Sequence, residues 1–316
     1  MATKQQINAL TKIVNGKTLP ILGLVKFETG QIMATDLETA VIIKDETITK
    51  NGYVEPSKLK KGGIDSIQKH WDLVKVDGFA AEDWPELKFD RAPVELNQAT
   101  VSGMLDCLTT VSKDDSRPML TCIELRADGK ITSTDSYRLL TKNGGHDLTA
   151  IIPSKMIELV KMTKLMDNWY IGTNDQQIVM QNGNVTIVQR VIEGKYPDWQ
   201  KLAPLNAARR VTVKAAQVYE ALDLIENGSI RLDQNGGIYV QAGDKRSLIT
   251  VAKPELDVKN NINNMHIVMP LKGDRDQSGQ VLLNNRYVRD AVGKSEYMRF
   301  AFNGALEPVV VEGIER

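Results

Sequence analysis

The residues that most often carry out chemistry are few and widely separated in this 316-residue chain. Its three histidines, His70, His146 and His266, form no H-E-x-x-H pattern, and its two cysteines, Cys107 and Cys122, form no CxxC pair. Zinc sites are built from such closely spaced ligands. We therefore expect no bound metal and no cofactor, and we interpret the histidines as surface or loop residues.

Two further patterns could indicate a nucleotide or catalytic site, and neither is complete. Gly16-Lys17-Thr18 resembles the end of a phosphate-binding loop, but position 11, where that motif requires its first glycine, is Thr11. Asp114-Asp115 precedes Arg117-Pro118, a pattern typical of a solvated turn. The chain also lacks the G-x-S-x-G elbow of serine hydrolases and the G-x-G-x-x-G loop of dinucleotide-binding proteins. The sequence therefore predicts that the protein is not an enzyme.

Composition and charge restrict the class of protein further. With 42% hydrophobic and 25% charged residues the chain has an ordinary globular composition, and its length suggests two or three domains. Lysine plus arginine equals aspartate plus glutamate at 40 each, which excludes a protein that is basic over its whole surface. The two cysteines, the absence of an apolar leader and the absence of a long apolar run predict a soluble, cytoplasmic protein with reduced thiols and no membrane contact.

Ordered matches along the chain indicate an internal duplication. The matching pairs are Pro20-Ile21-Leu22 with Pro118-Met119-Leu120, Thr35-Asp36 with Thr134-Asp135, Pro56-Ser57-Lys58 with Pro153-Ser154-Lys155 and, more weakly, Trp84-Pro85 with Pro197-Asp198-Trp199. The first three pairs are offset by 97 to 99 residues, which indicates a repeated domain of roughly 100 residues. The remaining length is sufficient for a third domain that begins near Arg209.

Helical and strand patterns follow the same order in each repeat. Apolar residues at helical spacing predict helices within residues 3–17, 56–70, 97–113, 153–166, 213–227 and 284–294. Short apolar runs separated by Asp-Gly and Asn-Gly turns predict antiparallel strands between them. The prediction is an α+β fold of helix-plus-meander modules, with domains at 1–92, 93–206 and a shortened 207–316.

Basic residues are concentrated in the predicted helices. Segment 3–17 has three lysines and no acidic residue, segment 56–70 has four lysines against Asp65, and only segment 213–227 has an acidic excess. Because repeated modules carry equivalent helices on one face, this distribution predicts a basic face on a chain of zero net charge. Such a face would hold a polyanion through its phosphates, without reading base sequence.

A series of short motifs, in a fixed order from residue 19 to residue 311, resembles the bacterial DNA polymerase III β subunit, the sliding clamp. The motifs are Leu19-Pro20-Ile21-Leu22, Ala34-Thr35-Asp36-Leu37-Glu38, Ala81-Glu82-Asp83-Trp84-Pro85-Glu86-Leu87, Arg117-Pro118-Met119-Leu120, Thr134-Asp135-Ser136-Tyr137-Arg138-Leu139, Ile192-Glu193-Gly194-Lys195-Tyr196-Pro197-Asp198, Asn285-Arg286-Tyr287 with Asp290-Ala291, and Phe302-Asn303-Gly304 with Pro308-Val309. The resemblance implies three similar clamp domains, each with two helices packed on antiparallel sheets. It also implies a head-to-tail homodimer that closes into a ring around duplex DNA.

The resemblance implies three groups of functional residues for a processivity factor. Double-stranded DNA would be contacted through its phosphates by Lys12, Lys17, Lys58, Lys60, Lys61, Arg117, Lys161, Lys164, Arg286 and Arg289. A pocket for short linear motifs of a DNA polymerase and a clamp loader would be formed by Leu120, Thr134, Tyr137, Arg138, Leu139 and Pro204. The interface of the homodimer would involve Val74, Val76, Leu224 and Ile225.

The chain departs from this family at three positions. Ser136-Tyr137 stands where the family usually has Gly-His, and Gly62-Gly63 interrupts the second predicted helix. The family's terminal Met-Pro-Met-Arg-Leu type strand is missing at Val311–Arg316, and Val268–Lys272 resembles it, either by coincidence or as a relocated strand. These departures predict a shortened, phage-like or divergent member. The alternatives are a clamp-fold accessory of DNA metabolism that does not close a ring and, less favoured, a small-molecule enzyme on an α+β scaffold.

Overall fold

A computed structural model describes residues 2–17, 19–70, 84–85, 92–201, 203, 206–223, 228–232, 238–242, 248–250, 261–268, 281–292, 295–304 and 307–315. These residues form α-helices and antiparallel β-strands, which confirms the predicted α+β class. Within these ranges no helix is long and apolar enough to cross a membrane.

The helices of the described ranges coincide with the six predicted helical segments. They are α1 (Lys4–Lys12), α2 (Pro56–Lys69), α3 (Gln98–Cys107), α4 (Ser154–Thr163), α5 (Ala215–Asp223) and α6 (Asn285–Val292). Each described helix lies within its predicted segment and is shorter than it; α1 ends before Asn15-Gly16, and α3 ends before the turn at residues 108–111.

The strands lie between the helices in the predicted order. Before α4 they are β1 (Val25–Glu28), β2 (Gln31–Thr35), β3 (Thr39–Lys44), β4 (Gly52–Val54), β5 (Val94–Leu96), β6 (Cys122–Leu125), β7 (Lys130–Thr134), β8 (Arg138–Asn143) and β9 (Ala150–Pro153). After α4 they are β10 (Trp169–Thr173), β11 (Gln177–Asn182), β12 (Val185–Arg190), β13 (Arg209–Lys214), β14 (Gly228–Leu232), β15 (Ile238–Ala242), β16 (Leu248–Thr250), β17 (Asn261–Val268), β18 (Val281–Asn284), β19 (Tyr297–Phe302) and β20 (Val309–Glu315).

The first compact unit consists of residues 1–108, 125–129 and 144–193. Its antiparallel sheet has the strand order β4-β1-β2-β3-β12-β11-β10-β5. At the centre of this sheet β3 pairs with β12, so that strands from the first and second sequence repeats are hydrogen-bonded neighbours. Helix α1 packs against α2, α4, β2 and β3.

The second compact unit consists of residues 109–124, 130–143 and 194–316. Within this unit, neighbouring strands of one sheet follow the order β13-β19-β20-β17-β8-β7-β6, and the β8–β17 pair again joins strands of consecutive predicted domains. Helices α5 and α6 share a buried core with this sheet and with β18. A further four-stranded sheet has the order β16-β15-β14-β18. The two units divide residues 93–206 between them, and the three-domain division at 92 and 206 stays a prediction.

Local sequence signals account for where the helices begin. Thr3 and Gln6 form a capping box at the start of α1, with Gln6 N donating to Thr3 Oγ1 at 3.2 Å and Thr3 N donating to Gln6 Oε1 at 2.8 Å. The Asn97 side chain accepts from Thr100 N at 2.8 Å and caps α3. Pro56 occupies the first turn of α2, where its missing amide proton costs nothing.

Helix α2 is interrupted at the predicted glycine pair. Gly63 has φ 67° and ψ −178°, a conformation that is accessible essentially only to glycine. Leu59 before the break and Ile64 and Ile67 after it are buried. The segment therefore keeps an apolar face on both sides of the kink.

Candidate functional site

The Thr-Asp motif of the sequence repeat forms the same turn in both units. In the first unit Thr35 Oγ1 donates to the Thr39 carbonyl at 2.8 Å, and Asp36 Oδ1 accepts from Thr39 N at 2.8 Å. In the second unit Thr134 Oγ1 donates to the Arg138 carbonyl at 2.8 Å, and Asp135 Oδ1 accepts from Arg138 N at 3.0 Å. The duplicated residues therefore have a structural role, which is to shape the tight connection between two strands.

The residue after the aspartate completes the equivalence of these turns. Leu37 has φ 78° and Ser136 has φ 77°, both in the positive region that L-residues rarely adopt. Each donates its backbone N–H to the preceding threonine hydroxyl at 3.1 Å. In the second unit this geometry projects the neighbouring Tyr137, whose exposed fraction is 62%.

Arg138 follows that turn and joins β8 to α6. Its guanidinium forms ion pairs with Asp135, at 3.1 Å, and with Asp290, and its Nη2 donates to the Thr109 carbonyl at 2.7 Å. The guanidinium carbon also lies 4.8 Å from the centre of the Tyr287 ring. Only 12% of the Arg138 side chain is exposed. The predicted pocket arginine is therefore engaged with partners on the helical side of the sheet.

Successive residues of β8 face opposite sides of this sheet, because side chains alternate along a strand. Leu140, the neighbour of Leu139, lies in register with His266, Val311 and Phe300. Val311 and Phe300 belong to the core that α5 and α6 cover. Arg138 is two residues from Leu140 and therefore faces the same side of the sheet, which explains its contact with α6. Leu139 faces the opposite side, away from the helices.

An apolar row crosses the sheet on the side that faces away from the helices. Thr134, Leu139, Ile267, Val310 and Ala301 occupy directly paired positions on β7, β8, β17, β20 and β19. Leu139, Val310 and Ala301 form a cluster with Trp199 and Ala207, against which Ala203 packs. Each of the five clustered side chains is at most 9% exposed. This row and its cluster are the candidate peptide-binding surface.

The structure brings several of the predicted pocket residues to this surface. Thr134 and Leu139 are cross-strand partners, and Tyr137 lies in the turn that joins their strands. Leu120 is buried on a short 3-10 helix, and the preceding Arg117 donates from Nη1 to Ser136 Oγ at 3.2 Å. Pro204 lies outside the described residues; in the sequence it falls between Ala203, which packs against the cluster, and Ala207, which belongs to it. Their role as a pocket stays a prediction.

The segment that resembles the family's terminal strand is partly described. Residues 261–268 form β17, and Val268 lies in register with Arg138 on β8 and with Val309 on β20. Of the segment Val268–Lys272, which would be the relocated strand, the structure describes only Val268, the last residue of β17. Met269 and Leu271 lie outside the described residues.

Sequence reasoning missed two contributors to this part of the molecule. Trp199 was noted only as a weak repeat match, yet it is 3% exposed and belongs to the apolar cluster. Asp290 was noted only as part of a family motif, yet it is an ion-pair partner of Arg138. For Asp290, the only signal in the sequence was the family motif that it forms with Asn285-Arg286-Tyr287.

Five of the predicted DNA-binding lysines of the first unit lie on helices that pack together, whereas Lys17 follows α1 and Lys164 follows α4. Helix α1 packs against both α2 and α4, and all three helices carry exposed lysines. The exposed lysines among the predicted residues are Lys12, Lys17, Lys58, Lys60, Lys61, Lys161 and Lys164. Lys58 has an ion-pair distance of 3.9 Å to Glu55, with both side chains about half exposed, and such surface pairs are weak. The unit therefore presents a group of basic helices.

The predicted DNA-binding arginines differ in their availability. Arg286 is exposed at the start of α6. Arg289, one turn later, donates from Nη2 to the Leu222 carbonyl at 2.6 Å and pairs with Asp223 at 2.8 Å, so that it caps the end of α5. Arg117 is exposed but contacts Ser136 and lies 4.0 Å from Asp114.

The predicted interface residues of the dimer cannot be located in the described part of the chain. Val74 and Val76 lie between the described ranges that end at 70 and begin at 84, and Leu224 and Ile225 follow the described end of α5. Their role stays a prediction.

The groups that could act as nucleophiles or metal ligands are dispersed in the described ranges. Cys107 and Cys122 are buried and unbonded to each other, and burial raises the pKa of Cys122 to about 11, which keeps it a thiol at neutral pH. No three metal-ligating side chains come together among the described residues. Burial also lowers the pKa of His146, against the opposing effect of Asp147 and Asp128.

Residues 96–198 match the family described as DNA polymerase III beta subunit, central domain. The beta sliding clamps of Staphylococcus aureus and Staphylococcus epidermidis are 25% identical to 64% of this chain. Along residues 96–198 the chain is therefore similar to the central domain of the DNA polymerase III β subunit. In these matches the chain spans 55% of the length of the curated clamps.

Solved sliding clamps have the same fold as this chain. The DNA polymerase sliding clamp of Bacillus subtilis superimposes with a TM-score of 0.72 at 15% identity, over 99% of this chain and 96% of the clamp. The Pseudomonas aeruginosa clamp bound to griselimycin superimposes with a TM-score of 0.69 at 19% identity, over 100% and 97%. The predicted resemblance and the predicted clamp fold are therefore confirmed.

Proposed function

We propose that this protein is a sliding clamp, a non-catalytic processivity factor that encircles duplex DNA. The observation that carries the proposal is the clamp fold along nearly the whole chain, despite low sequence identity. The scattered histidines and the buried, high-pKa Cys122 agree with a protein that performs no bond chemistry. Processivity would follow from topology, since a closed ring stays on DNA without strong binding to it.

Ring closure by two copies is supported by how the sheets are joined. Strands β3 and β12 join consecutive domains in the first unit, and β8 and β17 do so in the second. The four-stranded sheet ends at β16, beside which no further strand lies in the described ranges. Proteins rarely leave such an edge unpaired. A head-to-tail contact with a second copy would pair it, and two such contacts would close a ring.

Contact with DNA is supported by the basic helices. Exposed lysines on α1, α2 and α4 and Arg286 on α6 would meet phosphate oxygens without reading bases. Each contact of this kind is weak and depends on salt, which allows the duplex to slide. A homodimer would double the number of basic helices around the duplex.

A tether for the polymerase and the clamp loader is supported by the apolar row of the second unit. Leu139, Trp199, Ala301 and Val310 form a buried apolar base, and Tyr137 provides an exposed aromatic side chain beside it. Burial of two or three apolar side chains of a short linear motif would contribute about 1.5–3 kcal/mol of binding free energy each. After the cost of ordering the peptide is subtracted, this allows micromolar affinity.

Retention on circular DNA tests this function. Protein is incubated with a nicked circular duplex until spontaneous ring opening has loaded it, and the fraction retained is measured by gel filtration before and after the circle is cut once. A closed ring is retained on the circle and lost after linearisation, and light scattering gives twice the mass of the chain. A monomer, or equal retention on circular and linear DNA, would favour the accessory protein that does not close a ring.

A further inference from the structure

The indole N–H of Trp199 is a buried hydrogen-bond donor without an acceptor. Trp199 is 3% exposed and belongs to the apolar cluster with Leu139, Ala301 and Val310. Its Nε1 atom is closed to solvent and has no hydrogen-bond partner among the described residues. An unpaired buried donor is unfavourable, and native structures contain few of them. The unpaired N–H therefore needs a physical reason, and its place in the candidate peptide-binding surface offers one.

Hydrogen bonds hold the backbone in place on both sides of Trp199. Trp199 begins a short 3-10 helix, its N–H donates to the Pro197 carbonyl at 2.9 Å, and its carbonyl accepts from Ala203 N at 3.2 Å. Three residues earlier the Tyr196 hydroxyl donates to the Cys122 carbonyl at 3.4 Å. Because the segment is ordered before any ligand binds, the binding of a ligand to the indole would lose little conformational freedom of the protein.

The two other tryptophans of the described ranges differ from Trp199. Trp169 is fully buried, and its Nε1 donates to the Leu165 carbonyl at 3.0 Å. Trp84, the weak match of Trp199 in the sequence repeat, also has no acceptor for its Nε1 within the described part of the chain. Its ring, however, lies against Tyr53, with the ring centres 5.8 Å apart. Trp169 and Trp84 therefore provide a paired and an unpaired indole away from the candidate peptide-binding surface.

The surroundings of Trp199 determine which acceptor fits its N–H. An indole N–H donates and cannot accept, so its partner must carry an acceptor atom. The cluster and its packed neighbour are apolar, and three of their side chains, Ala203, Ala207 and Ala301, are small enough for a main chain to approach. A carboxylate would lose its hydration there without a counter-charge, whereas a main-chain carbonyl is neutral and costs less to bury. The acceptor that fits is a main-chain carbonyl.

We infer that Trp199 determines the register of the bound peptide by donating its indole N–H to a main-chain carbonyl of that peptide. The inference rests on the proposed function, because it requires that the apolar row binds short linear motifs. One directed hydrogen bond to the peptide main chain would decide which side chains of the motif meet Leu139 and Val310. Since Nε1 is closed to solvent in this structure, binding would displace nearby side chains, and rotamer changes of this kind are common at interfaces.

Removal of the N–H without a change of shape tests the inference. In the full chain Trp199 is replaced by 3-benzothienylalanine, in which a sulfur atom stands in place of the N–H, and Trp199→Phe is the simpler companion variant. Trp84→Phe and Trp169→Phe are the matched controls. Fluorescence anisotropy measures the affinity for a labelled six-residue peptide with two leucine anchors. In parallel, the indole N–H resonances of the wild type are followed by NMR while the unlabelled peptide is added.

We expect both changes at Trp199 to weaken peptide binding by about fivefold to tenfold, and both control variants to change it by less than about twofold. We also expect the Trp199 indole resonance to shift downfield saturably, and the benzothienylalanine protein to unfold at the same urea concentration as the wild type. That unchanged midpoint would separate a contact with the peptide from a structural role of the N–H.

Two results would overturn the inference while leaving the polymerase tether in place. One is equal peptide affinity of the wild type and the benzothienylalanine protein, and the other is a Trp199 indole resonance that does not move when the peptide binds. A wild type that does not bind the peptide would overturn both the tether and the inference. Ring closure is decided separately, by retention on circular DNA.

Discussion

Arg138 on β8 forms an ion pair with Asp290 on α6, although 152 residues separate the two along the chain. The same guanidinium reaches Asp135, the Thr109 carbonyl and the face of Tyr287. Strand β8 belongs to the second predicted domain and α6 to the third. Within the second unit this arginine therefore joins segments that the sequence repeat treats as separate modules.

Removing this arginine should destabilise the protein strongly. Arg138→Ala leaves the Asp290 and Asp135 carboxylates without their main partner in a mostly buried site, and we expect a loss of about 3 kcal/mol of unfolding free energy. Urea unfolding measures this loss of unfolding free energy. Arg190→Ala is the matched control, since Arg190 pairs with Glu38 at 3.3 Å on the surface and should cost less than about 1 kcal/mol. Equal losses in the two variants would contradict the role of Arg138.

Peptide binding should depend on Tyr137. The side chain is exposed beside the apolar row, so Tyr137→Ala should leave stability unchanged and weaken a clamp-binding peptide by about fivefold to tenfold. Fluorescence anisotropy with a labelled peptide measures the affinity. Tyr170→Ala, which removes an exposed tyrosine from β10 of the first unit, is the control and should have no effect. Unchanged binding by Tyr137→Ala would remove this residue from the pocket.

The two arginines of α6 should separate DNA contact from helix capping. Arg289→Gln removes the hydrogen bond to the Leu222 carbonyl and the Asp223 pair, and should cost about 1 kcal/mol of stability. Arg286→Gln should leave stability unchanged and reduce the salt dependence of duplex binding by about one phosphate contact. Thermal unfolding and binding at several salt concentrations measure both. A loss of stability in Arg286→Gln together with a reduced salt dependence in Arg289→Gln would mean that Arg286 caps a helix and Arg289 contacts DNA.

Stability should fall in alkaline solution through Cys122. Its pKa is raised from 9.0 to about 11 by burial, so the unfolded chain loses this proton before the folded chain does. The stability that the protonated Cys122 thiol contributes is fully present below about pH 9 and is lost as the pH rises towards 11. Urea unfolding of wild type and Cys122→Ala measures the change, and the decrease with pH should be smaller in the variant. If the free energy of unfolding depended on pH identically in the two proteins, Cys122 would not be the cause of the alkaline loss of stability.

Local signals in the sequence determined the helices and the repeated turns. Thr3 and Asn97 cap α1 and α3, and Pro56 begins α2, because each effect depends on residues within one turn of the helix. The Thr35-Asp36 and Thr134-Asp135 turns agree because the hydrogen bonds that form them span four residues at most. The co-linear motifs identified the clamp fold for the same reason, since they encode these connections.

Tertiary structure alone decided which side chains meet at the candidate surface. The sequence placed Arg138 and Leu139 together as pocket residues, but alternation along β8 directs them to opposite faces of the sheet. Leu139 meets Trp199, Ala301 and Val310 only because β8 pairs with β17, and β17 with β20. Arg138 meets Asp290 only because α6 covers the other face. Strand pairing between distant segments has no local signature, so a single sequence determines the elements and the folded sheet determines their neighbours.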